Sequence, residues 1–186
     1  MNDLNSYSYF ANNISTLKEL SKDTSNMEHT QYMSDSMKPA INFDAVKTAY
    51  TNDFGLSEEV AKSVDALVMI KDKPVFIEFK NGVMKKKNAN VQTKARDSLL
   101  IFCDITQQHI NQLRTSLDFI LVYNKIKNDT TNHHKDSSNS LRDIGKYWMD
   151  KAGEEEILFG LEKFKTLYFR EVHTYNEEEF TKYLES

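Results

Sequence analysis

The sequence contains little of several residue types that mark particular classes of protein. Its single cysteine, Cys103, excludes a disulfide within the chain and is typical of a reducing cytosol. Only five glycines occur, and Gly145 and Gly160 do not form a phosphate-binding loop motif. No apolar run reaches membrane-spanning length, and the N-terminal segment "MNDLNSYSYF" lacks the basic and apolar regions of a signal peptide. We therefore expect a cytoplasmic protein that makes no membrane contact.

The order of helical and strand patterns indicates the fold class. The formal net charge of −4 over 186 residues gives no overall signal for a polyanionic partner. Apolar spacing runs in the order helix, strand, strand, helix, strand, helices, strand, helix, which predicts a mixed α/β fold with a central sheet flanked by helices. We expect one domain with a helical or poorly ordered extension over residues 1–40, a core over 41–125, a flexible loop over 126–140, and a helix–strand–helix segment over 141–186 that completes the core.

Individual helices and strands are predicted from apolar spacing and helix caps. "NFDAVKTAY" predicts a helix capped by Asn42, "GLSEEVAKS" a short helix capped by Ser57, and "NANVQTKARDSLLIFCDIT" the most strongly patterned helix. "LDFILVY" predicts a strand buried on both faces. Toward the C-terminus, "EEEILFGLEKF" predicts an amphipathic helix, "TLYFREVHTY" a strand, and "NEEEFTKYL" a closing helix with Asn176 and Glu179 as a capping box.

Acidic residues interrupt the most apolar part of the chain, "SVDALVMIKDKPVFIEFKNG" at residues 63–82. This segment predicts two strands joined by a tight link. Side chains alternate between the two faces of a strand, so Glu78 and Lys80 share a face of the second strand. If the link is a two-residue turn at Lys71-Asp72, or a link of four residues, Asp65 lies directly opposite Glu78. A link of odd length would instead place Asp65 beside a neighbour of Glu78.

Two carboxylates that face each other on a mostly apolar surface repel one another. A cation between the acids stabilises such a pair, and a divalent metal bound by carboxylate oxygens has this effect. Asp65 and Glu78 therefore predict a metal site, with Lys80 beside it. The alternative is a hairpin with one solvated face, on which acids and bases pair across the strands.

Basic residues dominate the segment around these acids, from Lys71 to Arg96. A local positive patch in an acidic protein suits a phosphate backbone, and a solvated charge run is the alternative. Lys94 lies at the edge of the apolar stripe of its predicted helix, so it points partly toward the strands. The alternative for Lys94 is a side chain that extends its ammonium to solvent. The candidate nucleic-acid-binding residues are Lys85, Lys86, Lys87, Lys94 and Arg96.

The combination of these residues resembles the PD-(D/E)xK nuclease superfamily, which has a restriction-endonuclease-like core. Asp65 in "SVDAL" matches the acid on one strand, and Glu78-Phe79-Lys80 in "IEFKNG" matches the Glu-x-Lys triplet on the next strand. Lys94 in "VQTKARDSL" matches a basic residue that often joins the site from the following helix. The resemblance covers roughly residues 42–123.

The sequence departs from the pattern of this superfamily at two places. Val64 stands where the family name has proline, which is a common change. Many members also carry an acid on the first helix, for which Asp44 is the first candidate here and Glu58 the second. The resemblance assigns no role to the residues after 125.

The resemblance implies hydrolysis of phosphodiester bonds in DNA or RNA. Asp65 and Glu78 would bind Mg²⁺ or Mn²⁺, Lys80 would stabilise charge in the transition state, and Lys94 would contact a phosphate. The sequence leaves open a phage-defence, toxin or mobile-element setting, a homodimer, and a protein partner. The alternative function is a non-catalytic domain of the same fold that binds a protein partner, as an immunity factor does.

Overall fold

The computed structural model describes residues 4–23, 30–84, 88–128 and 156–186. Within these residues the chain forms a mixed α/β fold, so the predicted fold class is confirmed. The strands are β1 (Ile14–Thr16), β2 (Lys22–Asp23), β3 (Gln31–Tyr32), β4 (Pro39–Asn42), β5 (Ala66–Ile70), β6 (Lys73–Lys80), β7 (Asp118–Tyr123) and β8 (Val172–Asn176). The α-helices are α1 (Ser8–Ala11), α2 (Leu17–Leu20), α3 (Phe43–Asp53), α4 (Asn88–Thr106), α5 (Ile110–Leu113), α6 (Lys125–Asn128) and α7 (Glu177–Glu185), and 3₁₀ turns cover Leu4–Ser6, Glu58–Val60 and Glu162–Phe164.

Six strands form one mixed sheet in the order β1-β4-β5-β6-β7-β8. Pairing is antiparallel from β1 to β6 and parallel from β6 to β8. β2 and β3 form a separate two-stranded antiparallel sheet. Strand β6 therefore joins the antiparallel half of the sheet to the parallel half, and residues 74–79 of this strand are all buried.

Each face of the sheet packs against its own apolar core. On one face, Phe76 of β6 contacts Phe43 of α3 and Phe102 of α4, with ring centroids 4.9 Å and 5.7 Å apart. These edge-to-face contacts contribute roughly 0.5–1.5 kcal/mol each beyond the burial of the rings. On the other face, Phe79 of β6 contacts Phe180 of α7 at 5.8 Å. Packing on both faces of the sheet therefore holds β6 in place.

The β5–β6 hairpin has a two-residue turn, which is one of the link lengths that the sequence left open. Ile70 pairs with Lys73 at the turn. Lys71 and Asp72 have φ angles of 50° and 61°, as the two central residues of a type I′ turn require. Neither is a glycine, and a left-handed conformation costs a residue such as Lys71 about 1–2 kcal/mol, whereas aspartate tolerates it better. The pairing of the two strands therefore holds the turn in a conformation that its own residues disfavour.

Helices α3 and α4 begin and pack as the sequence predicted. The side chain of Asn42 accepts a hydrogen bond from the backbone N–H of Ala45, which confirms the cap of α3. Ser57 likewise caps the 3₁₀ turn at Glu58–Val60. The predicted bounds of α4 are confirmed, and its inward stripe is buried at Val91, Ala95, Leu99 and Phe102.

Residues 1–40 were expected to form a helical or poorly ordered extension, but described parts of this segment belong to the main sheet and its core. Strand β1 pairs with β4 at the edge of the main sheet, and Phe10 of α1 is fully buried in the core. A strand of three residues is too short to show a clear alternation in the sequence. The predicted loop over 126–140 also differs at its start, because residues up to 128 belong to α6.

The prediction of a helix at "EEEILFGLEKF" is wrong for residues 156–164, the described part of that segment, which contains only a 3₁₀ turn. Phe159 and Gly160 have φ angles of 63° and 69°, and left-handed residues such as these end a helix. The following strand is confined to β8, whereas the closing helix α7 and its capping box are confirmed. Residues 129–155, with the remainder of the predicted loop, lie outside the described residues. No helix in the described part of the chain is both long and apolar enough to cross a lipid bilayer.

Candidate active site

Asp65 and Glu78 lie on the same face of the β5–β6 hairpin. The last pair of the ladder joins Ala66 to Ile77, so the next position along the hairpin places Asp65 opposite Glu78. This face carries Phe76 and packs against α3 and α4. The side chain of Glu78 is fully buried, whereas the side chain of Asp65 keeps 18% of its exposure. The carboxylate pair is therefore accessible from the side of Asp65.

The ammonium group of Lys94 joins the two carboxylates. Lys94 Nζ lies 3.1 Å from Asp65 Oδ1, 2.9 Å from Glu78 Oε1 and 3.0 Å from Glu78 Oε2. The side chain of Lys94 is 17% exposed, so the alternative of a solvent-extended lysine is wrong. A cation does lie between the two acids, and in this structure it belongs to the chain itself.

Glu78 also contacts Lys80, its neighbour on the same strand face. Lys80 Nζ lies 2.6 Å from Glu78 Oε1. Both lysines reach Oε1 at ion-pair distance, but neither has the direction of a hydrogen bond, so this buried oxygen has no hydrogen-bond partner. Buried carboxylate oxygens are normally hydrogen-bonded, because leaving one unsatisfied is costly. Glu78 Oε1 therefore has two ammonium groups at ion-pair distance but no well-directed hydrogen bond.

Asp65 has a structural contact in addition to its contact with Lys94. Asp65 Oδ2 accepts a hydrogen bond from the backbone N–H of Phe79 at 2.6 Å. The backbone carbonyl of Asp65 accepts from the N–H of Phe43 at the start of α3. Asp65 thus connects the strand that carries Glu78 to the first residue of the helix that carries Asp44.

The buried charges shift the protonation of the site. Burial, followed by repulsion from Asp65, raises the pKa of Glu78 to about 7. Burial also raises the pKa of Asp65, against the opposing effect of Lys94. Burial lowers the pKa of Lys94, but attraction from Glu78 and Asp65 outweighs it, so the net pKa of Lys94 is raised. Each carboxyl is therefore less acidic than usual, and a cation of higher charge would favour its ionised form.

Helix α4 and the segment before Asp65 are held together by two hydrogen bonds. Asp97 Oδ2 accepts from the backbone N–H of Lys62 at 2.9 Å, and Ser98 Oγ accepts from the N–H of Val64 at the same distance. Both acceptors lie within about one helical turn of Lys94. The backbone at Lys94 is consequently fixed relative to Asp65.

An open depression of about 480 Å³ adjoins Lys94, and both candidate first-helix acids line it. Asp44 Oδ1 accepts a hydrogen bond from the buried hydroxyl of Ser63, two residues before Asp65. The charge of Asp44 contributes to the raised pKa values of both Asp65 and Lys94. Glu58 accepts from the Thr48 hydroxyl at the wall of the depression. Asp44 is therefore coupled electrostatically to Asp65 and Lys94.

The basic residues in the described part of the segment from Lys71 to Arg96 lie at different distances from the carboxylate pair. Lys71 and Lys73 lie near the turn of the hairpin, and Lys73 precedes Glu78 by five positions along the strand, or roughly 16 Å. Arg96 is exposed on α4. Residues 85–87, which supply three of the candidate nucleic-acid contacts, lie outside the described residues.

Three polar residues that position the site were missed by the sequence analysis: Ser63, Asp97 and Ser98. The spacing of Ser63 and Ser98 from the charged site residues could have indicated two of them. Ser63 precedes Asp65 by two residues and therefore shares its face in extended chain, and Ser98 follows Lys94 by four residues on one face of α4. Polar residues at these intervals from charged residues inside apolar patterns are candidates for buried hydrogen bonds.

The protein side chains offer a small set of ligands for a metal. Among residues 4–23, 30–84, 88–128 and 156–186, no group of three or more histidine, cysteine, aspartate or glutamate side chains is placed to hold a metal ion. A cation at Asp65 and Glu78 would take its other ligands from water or substrate. Mg²⁺ is commonly bound in this way, through one or two carboxylates together with water and substrate phosphates.

Comparisons with known proteins found none that resembles this chain. No protein-family model matches the sequence, and searches of curated proteins and of solved structures found no match. Inferences about function therefore depend on the chemistry of the site and on the short motifs in the sequence.

Proposed function

We propose that the protein is a divalent-metal-dependent nuclease that hydrolyses phosphodiester bonds of DNA or RNA. The main support is the meeting of Asp65 and Glu78 on one face of the hairpin, with the side chain of Asp65 partly exposed. The match of "SVDAL" and "IEFKNG" to the PD-(D/E)xK pattern agrees with this proposal. The proposed setting is the cytoplasm, because the single cysteine suits a reducing compartment.

The carboxylate pair fits Mg²⁺ or Mn²⁺. Both ions prefer oxygen ligands, and Asp65 and Glu78 would hold the ion. Burial, followed by repulsion from Asp65, raises the pKa of Glu78, and a divalent cation at this site would favour the ionised carboxylate. When bound, the ion would supply Lewis-acid polarisation of a phosphoryl oxygen.

Lys80 would act on the reacting phosphate, and Asp65 would hold the strand that carries Glu78 and Lys80 in position. The ammonium of Lys80, beside Glu78 on a strand paired on both sides, would stabilise negative charge that develops on the phosphate. Asp65 would keep Glu78 and Lys80 in position through its hydrogen bond to the N–H of Phe79. The depression beside Lys94 would admit the substrate strand.

A cleavage assay tests the proposal. End-labelled single-stranded and double-stranded DNA and RNA are incubated with the wild type, Asp65→Asn, Glu78→Gln and the control Lys73→Gln, in Mg²⁺, Mn²⁺ or EDTA. Lys73 is exposed at the far end of β6 and makes a matched charge control. We expect cleavage by the wild type and by Lys73→Gln with either metal, and none with EDTA or with the two carboxylate variants. Equal activity of wild type, Asp65→Asn and Glu78→Gln would contradict the proposal.

One observation favours a non-catalytic domain that binds a protein partner. The two ammonium groups of Lys80 and Lys94 balance the two carboxylates, so the cluster is electrically neutral without a metal. In that alternative the wild type cleaves no substrate, and its thermal stability is the same in EDTA and in Mn²⁺. Both results together would favour the protein-binding function over the nuclease.

A further inference from the structure

We propose that Lys94 is an internal counter-ion that competes with the divalent cation and withdraws toward the depression beside Asp44 when the metal binds. This inference rests on the proposed metal site and goes beyond it, because it assigns to Lys94 the control of metal affinity in place of a phosphate contact. Divalent binding is then an exchange of one cation for another at the same oxygens.

The contacts of Lys94 support the competition. Its ammonium lies within 3.1 Å of Asp65 Oδ1 and within 3.0 Å of both oxygens of Glu78. These are three of the four side-chain oxygens that the pair offers to a metal, and the fourth, Asp65 Oδ2, is bonded to the N–H of Phe79. A divalent ion on the same oxygens would repel an ammonium at this distance strongly in a poorly solvated site. The two cations therefore exclude each other.

The backbone at Lys94 does not need to move for this exchange. Asp97 and Ser98 fix α4 to the segment before Asp65 through bonds to the N–H groups of Lys62 and Val64. The lysine side chain has four methylene groups, so its ammonium can change position by rotation about its own bonds. The motion is thus confined to one side chain.

The depression next to Lys94 offers a place for the displaced ammonium. Lys94 already lines this open space of about 480 Å³, and Asp44 stands on its wall. The carboxylate of Asp44 and the side chain of Lys94 line the same depression, so Asp44 attracts an ammonium that moves into it. Withdrawal toward Asp44 would therefore keep Lys94 near a carboxylate and leave Asp65 and Glu78 for the metal.

Metal-binding calorimetry tests the exchange on the full chain. Mn²⁺ is titrated into the wild type, Lys94→Gln, Lys94→Arg and the control Lys47→Gln. Lys47 lines the same depression and carries the same charge, but its ammonium donates to the backbone carbonyl of Glu58. We expect Lys94→Gln to bind Mn²⁺ at least about tenfold more tightly than the wild type, within the range typical of residues that tune a metal site. Lys94→Arg and Lys47→Gln should stay within about threefold of the wild type.

A second measurement uses the wild type alone, in case Lys94→Gln does not fold. The ¹⁵Nζ resonance of Lys94 is followed by NMR during a titration with Mg²⁺, which is diamagnetic. We expect a saturable change in this signal at the same Mg²⁺ concentration that stabilises the fold against heat. An unchanged Lys94 signal at saturating Mg²⁺ would overturn the inference.

The outcomes separate this inference from the proposed function. Metal binding by the wild type with equal or weaker binding by Lys94→Gln would overturn the role of Lys94 and leave the metal site intact. Binding by Lys94→Gln alone would support the competition and contradict a metal-dependent reaction in the wild type. Absence of binding in both proteins would overturn the inference together with the metal site.

Discussion

The carboxylate of Asp65 accepts a hydrogen bond from the backbone N–H of Phe79 across the β5–β6 hairpin, at 2.6 Å. Phe79 pairs with Val122 of β7 but lies beyond the last β5–β6 pair, so the side chain of Asp65 satisfies a donor that the pairing of β5 with β6 does not reach. Asp65 is thus a candidate metal ligand and also a structural part of the sheet. Its two carboxylate oxygens have different partners, one on β6 and one on α4.

This division of roles predicts that two substitutions of Asp65 differ in stability. Asp65→Asn keeps an oxygen that can accept from the N–H of Phe79, whereas Asp65→Ala leaves that donor unsatisfied. An unsatisfied buried donor costs roughly 1–3 kcal/mol. Chemical denaturation in EDTA should therefore show Asp65→Ala less stable than Asp65→Asn by about this amount, with both inactive in cleavage. Equal stability of the two variants would mean that the bond to Phe79 contributes little.

The raised pKa of Glu78 predicts how stability depends on pH without metal. The pKa of Glu78 is about 7 in the folded chain, because of burial first and Asp65 second, against an ordinary value of 4.5. The folded state therefore holds the proton more tightly, and its stability relative to the unfolded state falls as pH rises from about 4.5 through 7. The fall from this residue is on the order of 3 kcal/mol.

The measurement is the free energy of unfolding in EDTA between pH 4.5 and 8, for the wild type and Glu78→Gln. The glutamine carries no titrating proton, so Glu78→Gln should lack this part of the pH dependence. Saturating Mg²⁺ should flatten the profile of the wild type, because the ion favours the ionised carboxylate. A steeper profile for Glu78→Gln than for the wild type would contradict the assignment.

The position of Lys80 predicts a loss of turnover with little loss of binding. Lys80 Nζ lies 2.6 Å from Glu78 Oε1 and does not contact Asp65 in the described structure, so Lys80→Ala should leave the second carboxylate and its surroundings in place. Cleavage should be abolished, while affinity for uncleaved DNA or RNA, measured by fluorescence anisotropy in Ca²⁺, should change by less than about threefold. Lys73→Ala on the same strand is the control and should retain both. A large loss of affinity in Lys80→Ala would assign Lys80 to substrate binding.

The buried hydroxyl of Ser98 predicts that removing it lowers the stability of the fold, although Ser98 does not contact the carboxylates. Ser98 Oγ accepts from the N–H of Val64, and Ser98 is fully buried. Ser98→Ala should lower the free energy of unfolding by about 1–3 kcal/mol, because the N–H of Val64 loses its partner. Arg96→Ala, exposed on the same helix, should change it by less than about 0.5 kcal/mol. Thermal denaturation of both variants checks the difference.

Patterns with a clear period allowed much of the core to be predicted from the sequence. The stripe of α4 fixed its length because apolar residues recur on one helical face over nineteen residues. The register of the hairpin matches the alternative with a two-residue link, and its turn at Lys71 and Asp72 has no glycine that would have marked it in the sequence. Strand β1 was missed because three residues show no period, and the helix expected around Phe159 fails because two left-handed residues interrupt it.

The sequence predicted which residues of the candidate site lie near one another, but it did not predict which of their atoms are in contact. Alternation along two strands places Asp65 and Glu78 on one face when the link has an even number of residues, and the structure shows a link of two. The helical wheel gave the direction of Lys94 but not the atoms that its long side chain reaches. The bond from Phe79 to Asp65 depends on where the strand ladder ends, to within one residue, and a sequence pattern does not define that end.

The most direct test of the metal site is a crystal structure of the wild type grown with Mn²⁺, with anomalous diffraction data collected at the manganese edge. We predict an anomalous peak within coordination distance of carboxylate oxygens of both Asp65 and Glu78, with the Lys94 ammonium displaced from them. Crystals of Glu78→Gln grown in the same way should lack the peak. A wild-type structure in which Lys94 still bridges the two carboxylates and no peak lies beside them would contradict the account.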